Sequence, residues 1–177
     1  MSATERLRAE HEEILRALQV LEKVAGEVKA EPAKAKARAE AIVGYLSGFA
    51  DELHHTKEER LLFPALHQAG LPKEGGPIAV MLTEHDQGRA LVAEMRAALG
   101  HLDSRAEAFA SAAASFGSLL HNHIAKENGI LFPMADRVLQ PAKAQQIARD
   151  IAAYDDAERE AHAAHRAALS RLERRPV

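Results

Sequence analysis

Residues 54–64 read HHTKEERLLFP, and residues 123–133 read HIAKENGILFP. Aligned without gaps, the two stretches share H, K, E, L, F and P, so His54 matches His123 and Glu58 matches Glu127. His55 falls opposite Ile124 and Glu59 opposite Asn128, which leaves the second histidine and the second glutamate without counterparts. Upstream, AEHEE (9–13) is echoed by TEHDQ (83–87). The chain reads as two helical hairpins, each with a lone histidine on its first helix and a His-x-x-x-Glu on its second. Four-residue spacing puts that histidine and glutamate on one helical face.

Working outward, apolar residues recur every three to four positions almost throughout, and no strand alternation interrupts them. The pattern predicts helices over about 3–28 (Thr4 as N-cap), 33–66 (stopping near Pro64), 78–99, 103–135 and 141–172. QAGLPKEGGP (68–77) is a turn-rich connection. Long helices with short links predict an all-α fold: an antiparallel up-down-up-down four-helix bundle over 1–137, with an additional C-terminal helix over 138–177 packed on the same domain.

Composition narrows the chemistry. The 177 residues are 47% hydrophobic and 4% aromatic, with a net charge of −3 and no cysteine. No basic footprint for nucleic acid is present. Disulfides, thiolate metal sites and cysteine nucleophiles are excluded. Neither a signal-like N-terminus nor a membrane-length apolar window occurs. A cytoplasmic location, away from membranes and nucleic acid, is the expectation.

Ten histidines stand out. At about 100° per residue, His11 falls in the stripe of Leu7, Ile14, Leu18 and Leu21. His85 falls in that of Ile78, Leu82, Val92 and Leu99. His123 and Glu127 lie inside the arc of Phe109, Phe116, Leu120 and Leu131, with His121 on the far side. His54 sits at the margin of the arc of Ile42, Leu46, Phe49 and Leu53, and His55 lies further out. Four histidines and two glutamates therefore point inward from four helices. A histidine–glutamate hydrogen-bond network is one account, but two unpaired carboxylates would be prohibitive to bury. A metal accounts for all six, and imidazole with carboxylate suits iron, manganese or zinc.

At these residues the sequence resembles the hemerythrin-like (HHE cation-binding) family, over roughly residues 5–135. The resemblance implies a four-helix bundle holding two non-haem iron ions with an oxo or hydroxo bridge, manganese or zinc being less fitting. Carried over, Glu58 and Glu127 bridge the ions, His11 and His54 hold one, and His85 and His123 hold the other. The chain departs from the family's oxygen carriers, which place a further histidine one turn before His85, where Met81 stands, and an aspartate five residues after the His123 position. One iron is then a protein ligand short. His55 or solvent could complete it, as could the last helix, whose apolar stripe carries Tyr154, Glu158 and His165, with His162 at its edge. Arg89, one turn after His85, is placed to bond a bridging glutamate or gate the site. Glu10 and Glu84 are expected at helix-interface margins, and Glu59 in solvent.

The function implied is binding of a small diatomic or peroxide ligand, such as O2 or NO, for sensing, storage or stress protection. Alternatives are a di-iron enzyme that turns over peroxide or NO or oxidises ferrous iron, and an iron-handling or iron–sulfur repair protein. Family members proposed for repair carry an additional cysteine-containing N-terminal region, absent from this sequence, which argues against that role. No protein partner is identifiable.

Overall fold

A computed structural model describes residues 1–174, and among them every regular element is helical. Helix α1 (Ala3–Ala30) starts from Ser2, whose hydroxyl accepts from the Glu5 amide while the Glu5 carboxylate accepts from the Ser2 amide. This capping box displaces the expected Thr4 cap by two residues. The Thr4 hydroxyl instead donates to Asp136, 2.9 Å away.

The second rod is continuous over 32–68. It comprises α2 (Pro32–Tyr45), a π-helical stretch π1 (Leu46–His55), a second π-turn π2 (Glu58–Leu62) and α3 (Phe63–Gln68). Helix α4 (Pro77–Leu99) follows a connection turned by Gly70 and Gly75, both at positive φ. The fourth rod runs over 102–138 as α5 (Leu102–Lys126), π3 (Glu127–Leu131) and α6 (Phe132–Val138).

The expected stop of the second helix near Pro64 does not occur. Pro64 and Pro133 each sit two residues past the end of a π-turn, and the helix continues beyond them. Proline lacks an N–H and its ring crowds the carbonyl four residues back. A widened i→i+5 turn just upstream relieves that conflict without stopping the rod. Each such turn begins at the glutamate of the motif, Glu58 or Glu127.

The C-terminal segment forms two helices, α7 (Pro141–Ala157) and α8 (Arg159–Glu173), meeting at Glu158. Helix α7 packs on α1 and π2, and α8 on α1, α2 and π1.

The apolar core is divided. One cluster holds Ile14, Leu21, Phe49, Leu53, Phe116 and Leu120. The other holds Leu7, Leu62, Phe63, Ile78, Leu131 and Phe132. On each of the four rods the inward histidine or glutamate falls at the boundary between the two. A polar layer is thus sandwiched between two dry clusters, where an unpaired charge costs most. No helix among the described residues is long and apolar enough to cross a membrane.

Candidate metal centre

His11, His54, Glu58, His85, His123 and Glu127 are all buried, none more than 1% exposed. They fall into two adjoining groups. His11, His54, Glu58 and Glu127 offer ligand atoms within 4.8 Å of one another, and so do His55, Glu58, His85 and His123. Glu58 belongs to both. Glu127 Oε2 lies 3.1 Å from His11 Nε2 and 3.3 Å from His123 Nε2, and so also touches both sides.

Each imidazole is oriented from behind. His54 Nδ1 donates to Glu10 (2.8 Å), His123 Nδ1 to Glu84 (2.9 Å), His85 Nδ1 to Glu59 (2.7 Å), and His11 Nδ1 to the Asn128 side-chain oxygen (2.9 Å). None of these acceptors carries a proton to give, so the hydrogen resides on Nδ1 and Nε2 faces the centre. The acceptors are anchored in turn. Lys57 binds Glu10, Lys126 binds Glu84, Arg89 binds Glu59, and the Arg8 guanidinium holds the backbone carbonyl of Asn128. Such outer contacts select the ring tautomer and raise the basicity of the inward nitrogen.

At the centre this leaves acceptors facing acceptors. His11 Nε2 meets His54 Nε2 at 3.0 Å, and His85 Nε2 meets His123 Nε2 at 3.2 Å. All four carboxylate oxygens of Glu58 and Glu127 lack a hydrogen-bond partner, the nearest imidazole nitrogens standing 3.1–3.6 Å away. Without a cation, protons must fill the gap. Burial and the charge of Glu127 push Glu58 up, while His11 and His123, against the effect of burial, hold Glu127 down. His85, against its own burial, is raised to about 9 by Glu58 and Glu59. His11 is raised in the same way by Glu127, whereas burial lowers His54 and His123. The donor set, four imidazoles and two shared carboxylates with no sulfur, fits a hard or borderline divalent cation.

The LFP segments wall this layer. Phe132 stacks on His11 with ring centres 5.4 Å apart, and Phe63 on His85 at 5.9 Å.

Residues 2–135 match the hemerythrin HHE cation binding domain. The chain belongs to this family. Among curated proteins, the iron–sulfur cluster repair protein YtfE of Cronobacter sakazakii is 34% identical over 102 residues, covering 53% of this chain and 46% of that protein. The protein of the same name from Salmonella paratyphi B is 33% identical over the same span. The chain thus spans about half the length of the curated relatives it matches.

Within this hemerythrin HHE domain, several placements differ from expectation. His55 is buried rather than pointing outward, and its ring stacks on His85 at 3.7 Å. The ideal 100° step fails there because His55 ends the long π-helical stretch, whose wider turns shift the helical face. Glu59 is not free in solvent but accepts from His85 and Arg89. Glu10 and Glu84 have moved from interface margins to the histidines' rear nitrogens. Arg89 reaches Asp51, Asp86 and Glu59 rather than Glu58. Met81 is buried in the apolar cluster below the layer.

The last two helices are not brought into either central group. The Tyr154 hydroxyl donates to the Glu52 carbonyl, His165 packs edge-on against Tyr45 and Phe49, and Glu158 is half-buried at the α7–α8 junction. His162 is buried beside Asp155 and Glu10 in a separate cluster. Residues that sequence reasoning missed are Lys57, Lys126, Asn128 and Asp155. The lysine shared by both motif copies was the available signal for the first two.

Proposed function

We propose that the chain holds two non-haem iron ions and binds a small oxidant such as O2, NO or peroxide at them. His11 and His54 would hold one ion, His85 and His123 the other, and Glu58 and Glu127 would be shared. His55 would take the position on the His85 side that Met81 cannot fill. One observation carries this reading: buried imidazole lone pairs and four carboxylate oxygens converge with too few protons to satisfy them. Bound iron would supply open coordination positions and one-electron redox chemistry. The chain's own part is to orient the imidazoles through Glu10, Glu59, Glu84 and Asn128, and to exclude water with Phe63, Phe132 and their neighbours.

Anaerobic preparation with metal analysis and an optical spectrum tests it. Two irons per chain and a spectrum that changes reversibly with NO or O2 support the reading. Zinc in place of iron, or only one metal per chain, overturns it. A second reading, donation of iron to damaged iron–sulfur centres, is favoured by the similarity to the iron–sulfur cluster repair proteins. Transfer of iron from loaded protein to a cluster-depleted acceptor, faster than release to buffer, would select it.

A further inference from the structure

The two motif copies use the same chain of contacts, histidine to glutamate to lysine, but only one chain continues. On the second hairpin it runs from His123 through Glu84 to Lys126 and stops, with Lys126 37% exposed. On the first it runs from His54 through Glu10 to Lys57, which is fully buried, and then to Asp155 of α7, 2.6 Å from the ammonium. Asp155 is further held by Arg6 at 3.5 Å and lies 3.4 Å from His162. Both oxygens of Glu10 are committed, one to Lys57 and one to His54. A buried ammonium keeps one geometry only when its carboxylates surround it. Asp155 lies outside residues 2–135, so the family match does not cover it.

We propose that Asp155 is a positioning residue for one half of the metal centre: through Lys57 and Glu10 it fixes the His54 imidazole, making the α7–α8 hairpin part of the His11–His54 site. This rests on the two-metal reading above. Loss of Asp155 leaves Lys57 free to swing and draw Glu10 away from His54, while the path from His123 through Glu84 is untouched. A partner bonded directly to a metal-holding histidine, as Glu10 is to His54, is worth roughly 10- to 100-fold in affinity, which bounds what Asp155 contributes through Lys57.

The test uses the full chain loaded anaerobically with ferrous iron, then challenged with a chromogenic ferrous chelator. In Asp155→Asn, one of two irons should be released about tenfold faster and the other at the wild-type rate. Asp155→Glu should restore the slow release, and Asp156→Asn, at an exposed neighbour, should leave it alone. Placed on His54→Ala, Asp155→Asn should add nothing; placed on His123→Ala, it should speed release of the remaining iron. Equal acceleration of both irons, or an unchanged profile, overturns the proposal while leaving two irons per wild-type chain intact. A wild-type chain that binds a single iron overturns the two-metal reading and this proposal with it.

Discussion

Lys57 and Lys126 occupy the same place in two copies of one motif, and each steadies the glutamate that steadies a histidine. Yet Lys57 is sealed between α1 and α7, while Lys126 is 37% exposed. The shared local pattern produces the same sequence of contacts twice. What surrounds that sequence depends on whether α7 and α8 pack over it, as they do on the first hairpin. An ion pair in solvent is screened and contributes little, whereas a dry one is costly to break. The same three residues are therefore expected to matter unequally on the two sides.

The largest effect should erase the comparison. Glu58 and Glu127 each touch both sides, so Glu58→Gln or Glu127→Gln should remove both metal ions, read by metal analysis of the purified chain. Retention of a single ion in either variant would mean that the carboxylates serve separate sites. Next, His54→Ala and His123→Ala should each lose one ion of two. His121→Ala, at an exposed ring bonded to the Gly117 carbonyl, should lose none. His55→Ala should weaken the ion on the His85 side, and equal losses in all four variants would contradict the placement of these rings.

The lysines sharpen the comparison directly. Lys57→Met strands Glu10 and Asp155, and denaturant titration should show a loss of about 3–5 kcal/mol. Lys126→Met should cost no more than about 1 kcal/mol. Similar costs would show that α7 does not change the medium around Lys57.

Smaller than the loss at Lys57 is a pH dependence shared by both sides. In chelator-stripped protein, Glu58 and His85 hold protons more tightly than they would unfolded, His85 up to about 9. Groups with raised folded pKa values stabilise at low pH and lose that contribution as pH rises through them. Above pH 7 the lowered histidines, His54, His55 and His123, are neutral whether folded or not. The melting temperature of stripped protein should therefore fall from pH 7 to 9, by something on the order of 5 °C. Iron-loaded protein should stay flat over that range, and loading near neutral pH should release protons measurable with an indicator dye. A stripped protein that gains stability over the same interval would contradict this charge arrangement.

Much of this was legible beforehand. Ile42, Leu46, Phe49 and Leu53, like Phe109, Phe116, Leu120 and Leu131, are buried as their helical arcs require. The repeat picked out His54 and Glu58, which are buried with His123 and Glu127, but it passed over His55, which lies in the group of Glu58, His85 and His123. It misled at the unmatched positions, because Glu59 and Asn128 look unlike each other and yet do one job. Each accepts from the first-helix histidine of the other hairpin, Glu59 from His85 and Asn128 from His11. An anion and an amide oxygen are interchangeable to an imidazole N–H, and a letter-by-letter match cannot register that.

The sequence by itself determined the helices, their apolar faces and the six inward groups, since all of these follow from residue spacing along one rod. The π-turns that carry Glu58, Glu127 and His55 to their positions were not legible, because an ideal helical step has no place for them. Nor was the reach of Asp155 to Lys57, 98 residues apart in the chain, or of Glu10 and Glu84 to their histidines. Such pairings exist only once rods pack against one another, because burial then forces every charged group in the layer to find a partner from whichever helix lies nearest.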